Sequence, residues 1–141
     1  MRPPSEVEIG WAAGIIDGEG SVTLDKKGRK ETIFRQPAVT VPSTDKEILD
    51  ELARFFGGNV RPLKRRSRMK KPGWQWKLCG FNSVGPCLTV LEPHLRCPKK
   101  RARARHIIQG YPSVSTPNGV YTPEQRTARL TFQDAFYALE R

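Results

Sequence analysis

The sequence has little that would staple, anchor or export it. Its 141 residues include three cysteines, Cys79, Cys87 and Cys97. That odd number, with no Cys-x-x-Cys spacing, indicates neither a disulfide framework nor a zinc knuckle. His94 and Cys97 are two isolated ligand types and make no metal set by themselves. No run approaches the roughly 18 apolar residues of a membrane span, so no membrane partner is expected. The opening "MRPPSEVEIG" lacks the apolar core of a signal peptide, which places the protein in the cytoplasm, an organelle or the nucleoid and not among secreted proteins. Acids are scarce as well: 14 stand against 25 Lys and Arg, for a formal charge of +11. Such an imbalance points to a polyanionic partner.

The positive charge that is present is clustered, with 16 of the 25 basic residues in segments 26–30, 61–71 and 99–105. Around these clusters the pattern is regular. Ser5 and Glu8 make a capping box ahead of Val7, Ile9, Trp11, Ala12, Ile15 and Ile16, predicting a first helix over 5–17. "SVTLDKKGRKETIFRQPAVTV" alternates apolar and polar residues about a Lys/Gly turn, as a two-stranded ribbon does. Thr44 and Glu47 predict a second capping box, followed by an amphipathic helix carrying Ile48, Leu49, Leu52, Phe55 and Phe56 and closed by Gly57-Gly58. "NVRPLKRRSRMKKPGWQWKLCG" predicts a second ribbon, with Trp74, Trp76 and Leu78 on one face and Gln75 and Lys77 on the other. A short helix ended by Pro93, a basic helix from Pro98 to Gly110, a loop over 111–121 and a last helix opened by Thr122 complete the chain. The expected fold is α+β, one domain of order αββαββα plus a C-terminal helix. Residues 1–110 form its core; 111–141 form a loop and a helix packed on the same domain.

The stretch "GWAAGIIDGEGSV", residues 10–22, stands apart. Gly10, Ala13, Gly14 and Asp17 fall at i, i+3, i+4 and i+7, so one helical face carries almost no bulk and ends in a carboxylate. Gly18 and Gly20 alone would be a plain helix cap with solvated acids beside it. Two arguments weigh against that reading. Asp17 and Glu19 lie at the negative end of the helix dipole, where a cation would be favoured. If a second copy packed on this face, facing acids ~5 Å apart would repel by about 3 kcal/mol at an effective dielectric near 20. A divalent cation removes the conflict, and acids flanked by glycine on an otherwise basic protein suit metal-assisted phosphodiester cleavage.

"AAGIIDGEG", residues 12–20, resembles the LAGLIDADG motif of homing endonucleases, and the αββαββα order with basic ribbons is similar to that family's fold, an antiparallel sheet forming a DNA-binding saddle. The resemblance covers about residues 5–110. Because paired motif helices join two units in the family and this chain has a single motif, it implies a homodimer with Gly10, Ala13, Gly14 and Asp17 at the interface. It implies that Glu19, standing where aspartate is commoner, holds a divalent metal, Mg²⁺ or another such as Mn²⁺, beside the scissile phosphate, with Gly18 next to it. Asp17 matches the first acid, which supports the helix ends within the catalytic set. Ser43 matches the residue that orders water at the end of the second strand; its competing role is simply to precede the Thr44 cap. Lys100, with Ala104 four residues on, matches a lysine that stabilises charge at the phosphate; Lys99 competes with it, and for both the alternative is an ordinary phosphate contact.

Binding falls to the ribbons, which suit the DNA major groove. Thr23, Asp25, Lys27, Arg29, Gln36, Ala38 and Thr40 on the first, and Arg61, Gln75 and Lys77 on the second, are expected to face away from the helices. Lys64, Arg65, Arg66 and Arg68, in the tip that runs to Lys71, are expected to contact phosphates. Trp74 and Trp76 are core aromatics on their alternation, not a base-stacking platform. The expected activity is a homodimeric, metal-dependent endonuclease that cuts both strands of double-stranded DNA at a long, roughly palindromic site. By resemblance it cuts across the minor groove and leaves short 3′ overhangs. The alternatives on the same scaffold are a regulator that binds DNA without cutting and a maturase that binds intron RNA.

Overall fold

The computed structural model describes residues 3–26, 34–64, 71–117 and 119–139. The first capping box forms as its residues dictate: Ser5 Oγ accepts the Glu8 N–H at 3.2 Å and Glu8 Oε1 accepts the Ser5 N–H at 2.9 Å, opening α1 (Glu6–Glu19). Gly20 ends it, and a Cβ there would lie 2.8 Å from Ile16 Cα, so only glycine lets the chain turn directly into the sheet. β1 (Ser21–Lys26) and β2 (Arg35–Ser43) follow as an antiparallel ribbon, in register from Ser21 opposite Thr40 to Lys26 opposite Arg35.

α2 (Lys46–Phe56) begins with Asp45 at its cap rather than Thr44, and no side chain caps it. The predicted Thr44/Glu47 box is absent because Ser43 Oγ takes the Asp45 N–H at 3.0 Å and turns the chain into the helix by itself. β3 (Asn59–Pro62) and β4 (Trp74–Cys79) complete a four-stranded antiparallel sheet of order β1-β2-β4-β3, with the two ribbons joined at its centre by β2 and β4.

Alternation along the strands sends Val22, Leu24, Val39, Val41, Trp76 and Leu78 to one face, where they are buried against Ala12, Ala13 and Ile16 of α1, Leu49 and Leu52 of α2 and the helices that follow. Each fully buried Leu, Val or Ile contributes about 1.5–3 kcal/mol relative to exposure. Trp76 belongs wholly to this core and donates its Nε1–H to Gly57 O at 2.8 Å. The other face of the sheet carries no helix packed on it among the described residues.

α3 (Phe81–Leu91), a 3₁₀ turn (Glu92–His94), α4 (Pro98–Val114) and α5 (Pro123–Ala138) complete the chain. α4 runs past Gly110 and Pro112, so the expected stop at 110 and the loop from 111 are displaced by a full turn. Gly110 serves helix contact instead: a Cβ would lie 3.0 Å from the Phe132 ring of α5, and Tyr111 is buried, stacked on Phe81. Packing carries the helix through residues whose propensity would end it. α5 is opened by the Thr122/Gln125 capping box and buries Arg129, Phe132, Gln133 and Phe136. Burial pushes the Cys87 thiol up to about 12, making it an inert core group, whereas Cys79 is exposed.

Candidate functional site

Of the two wrong-end acids of α1, Asp17 finds its compensation in α4. Asp17 Oδ2 accepts the Arg96 N–H at 2.8 Å and Oδ1 accepts the Cys97 N–H at 3.1 Å, so its carboxylate sits at the positive end of α4. Lys100 completes the exchange. Its Nζ donates to Ile16 O at 2.8 Å and Asp17 O at 2.6 Å, placing an ammonium on the negative end of α1. Two helix ends are thus neutralised by one residue from each, and Lys100 is held within three residues of Glu19. Lys99, its competitor, is exposed. Ala104 lies fully buried one turn beyond Lys100 and keeps that side of α4 close to the core. Asp17→Ala is expected to cost about 2–3 kcal/mol of stability, since it leaves two N–H groups without their charged acceptor; the midpoint of urea unfolding measures this.

Glu19 and Gly18 are both exposed at the end of α1. Ser43 is half-buried at the end of β2, opposite Trp74, with its Oγ held by the Asp45 N–H. Among the described residues no three His, Cys, Asp or Glu side chains group as a self-contained metal cage.

The free face of α1 differs from the expected one by about one position. Ala13 is only 1% exposed and belongs to the chain's own core, so it is not open to a partner, while the half-buried Asp17 directs its carboxylate to the N–H groups of residues 96 and 97. The exposed stripe is instead Val7, Gly10, Trp11, Gly14 and Gly18, at i, i+3, i+4, i+7 and i+11. Val7 is 83% exposed and Trp11 38%. At Gly10, Gly14 and Gly18 a Cβ would meet nothing within 4 Å, so packing within one chain does not require these glycines.

On the open face of the sheet lie Thr23, Asp25, Gln36 and Thr40, half-buried, with Gln75 and Lys77, also half-buried, and the exposed Arg61. Lys64 is exposed beyond β3. Lys27, Arg29, Arg65, Arg66 and Arg68 lie outside the described residues. Ala38 is a correction: it is on this face by alternation but fully buried, so it offers no contact surface. In register it stands between Thr23 and Cys79. Two contacts close over the central strand beside it, the Asp25–Lys77 ion pair and the Gln36 Nε2–H on Cys79 Sγ at 3.7 Å. The hydrogen bond from Lys77 to Asp25 holds the Lys77 pKa above its ordinary value, outweighing desolvation, with the Asp25 and Cys79 charges adding to the effect.

Asn59 and Cys79 belong to this face too. Both line a cleft of ≈ 450 Å³ with Arg61, Gln75 and Lys77. Sequence reasoning passed over them, although Cys79 continues the alternation of Gln75 and Lys77.

No protein-family model matches the sequence, and no curated protein matches it significantly. Solved structures do match. The homing endonuclease I-CvuI, in complex with an I-CreI target and Mg with the DNA not cleaved, superposes with TM-score 0.73 at 21% identity, over 95% of this chain and 82% of that one. The homing endonuclease I-TnaI gives TM-score 0.68 at 18% identity, over 99% and 96%. The LAGLIDADG homing endonuclease I-GzeII, in complex with its DNA target, gives TM-score 0.68 at 14% identity, over 92% of this chain but 43% of that one.

Proposed function

We propose that this chain, whose fold is that of the LAGLIDADG homing endonucleases, is a homodimeric, divalent-metal-dependent enzyme that cuts both strands of duplex DNA at a long, roughly palindromic site. The observation that carries this reading is the end of α1, where an exposed Glu19 closes the helix whose Ile16 and Asp17 carbonyls hold the Lys100 ammonium in place, on a protein of net charge +11. A protein that only bound DNA would gain nothing from an acid there.

Glu19 suits a hard divalent cation. Mg²⁺ takes one or two carboxylates together with substrate phosphates and retained waters, and needs no all-protein cage. One Glu19 from each of two chains supplies that number. Bound there, the metal would supply charge stabilisation at the phosphate and acidify a water. The chain's own residues do the rest. Lys100 has three N–H donors, two of them spent on carbonyls, which leaves one for a phosphate oxygen or the attacking water. Asp17 holds the start of α4 against α1 and so sets where that ammonium stands. Ser43, anchored through its lone pair, keeps its O–H free to orient a water.

The dimer is supported by the α1 stripe. Glycines that one chain does not need let a second α1 approach closely, and covering Val7 and Trp11 adds apolar burial. The short span of the chain against I-GzeII fits one unit of a pair. Gly14→Ala therefore has opposite expected effects: the isolated chain gains up to about 1 kcal/mol from better helix propensity, while dimer dissociation rises at least about tenfold as the added methyl holds the helices apart. Sedimentation measures the second effect and thermal unfolding of dilute protein the first.

The activity is tested with the purified protein, Mg²⁺ or Mn²⁺, and plasmids carrying a library of randomised inserts. Linearised plasmid is the expected product. Enrichment of bound inserts with no cutting would overturn the nuclease reading in favour of a regulator, and preference for folded intron RNA over duplex DNA at matched salt would favour a maturase.

A further inference from the structure

The open face of the sheet carries one acid among its described residues, Asp25, and that acid does not stand alone. Its Oδ2 pairs with Lys77 Nζ, and its Oδ1 accepts the Thr23 hydroxyl at 3.2 Å. Asp25 lies on the edge strand β1 and Lys77 on β4, two strands away, so the pair spans the central strand β2. Both side chains stay accessible, Lys77 at 41% and Asp25 at 31%. On a surface that meets DNA, a carboxylate facing phosphates is repelled; it is favourable only where base edges offer donors.

We infer that Asp25 and Lys77 act together as a reader of one C·G base pair in each half-site, Asp25 accepting from cytosine N4 and Lys77 donating to guanine O6 and N7. This rests on the proposed function and adds a specificity element to it. The match is one of pattern. In the major groove the N4 amino group of cytosine and O6 of guanine are themselves in hydrogen-bond contact, so a donor and an acceptor lie side by side. The Asp25–Lys77 couple presents the complementary order, an acceptor and a donor in contact.

Capacity is available on both sides. Asp25 uses about two of its roughly four lone-pair sites on Thr23 and Lys77, and Lys77 uses one of three N–H groups on Asp25. Two N–H groups therefore remain for O6 and N7. An A·T pair also sets an amino group beside a keto oxygen, but the thymine methyl next to O4 meets the ammonium with an apolar group where guanine offers a second acceptor. The couple has polarity across the sheet, so C·G and its reverse, G·C, are distinguished.

The test is selection of bound sequences from a randomised duplex pool without divalent metal, comparing the wild-type chain, Asp25→Asn, and the double exchange Asp25→Lys with Lys77→Asp. The wild-type chain is expected to select C·G at one position per half-site by about 10–100-fold over other pairs. Asp25→Asn is expected to lose most of that preference there and nowhere else. The exchange keeps an ion pair on the same surface, and it is expected to reverse the preference to G·C. Unchanged preferences at the remaining positions serve as the control that each variant folds and binds. A site selected by the wild-type chain but unaltered by both variants, or altered only in overall affinity, would overturn the inference and leave the proposed function standing. Failure of the wild-type chain to select any duplex would overturn the proposed function and this inference with it.

Discussion

Glu19→Gln is expected to cut its DNA site about 10³-fold more slowly than the parent, a loss of about 4 kcal/mol in transition-state stabilisation. Site binding should stay within about twofold. The substitution preserves size and leaves the exposed end of α1 sterically unchanged, so neither the core nor the Asp17 and Lys100 contacts are disturbed. What it removes is a negative charge. A neutral amide is a poorer partner for a divalent cation and no worse a neighbour for phosphate. Single-turnover cleavage and filter binding of the same duplex separate the two effects. A variant that cuts at the parental rate would remove Glu19 from the reaction.

Arg129→Ala is expected to destabilise the fold by about 3–5 kcal/mol, the scale on which loss of one member of a buried charged network is felt. Arg129 is 3% exposed, and no carboxylate pairs with it among the described residues. Its guanidinium is held by oxygens and rings instead. It donates to Arg35 O at 2.7 Å, Tyr121 Oη at 2.8 Å and Tyr111 Oη at 3.1 Å, and lies over the rings of Tyr111, Phe34 and Tyr121. Gln133 completes the clamp by accepting the Arg35 N–H at 2.9 Å. Helix α5 thus holds both backbone polar groups of the residue that begins β2, the central strand that pairs with β1 on one side and β4 on the other. Arg129→Lys should recover part of the loss, since it keeps charge but not the planar fork. Calorimetry is the measurement, and a fall in Tm below about 5 °C for the alanine variant would contradict the assignment.

The sequence made the element order readable because each helix start and ribbon carries a local signal: the boxes at Ser5 and Thr122, the glycine pair after Phe56, and the alternation of Trp74, Trp76 and Leu78. Where it failed, the deciding contact lay far off in the chain. The first helix is apolar or small nearly all round, so which side is buried depends on its packing against β2 and α3 and not on its own period. Consequently Ala13 is core and Trp11 is open. Likewise Gly110 reads as a stop because the Phe132 ring packed against it belongs to the next helix and is remote in the sequence. Ala38 alternated correctly, yet it is covered through a pair made by strands on either side of it.

At the site, the spacing of Lys100 and Ala104 was legible, but nothing local separated Lys100 from Lys99. Both stand in one basic run, and only the approach of α1 to one side of α4 gives Lys100 its two carbonyl partners. The acid pair was conspicuous for the same reason that it was puzzling, since the α4 terminus that stabilises Asp17 lies about 80 residues away.

The most direct measurement is to sequence both ends of the products cut from a randomised duplex pool by the wild-type chain in Mg²⁺. Two copies with one Glu19 each predict breaks on both strands, placed symmetrically about the centre of inverted half-sites. Breaks at random positions, or an enriched site left whole, would contradict the account.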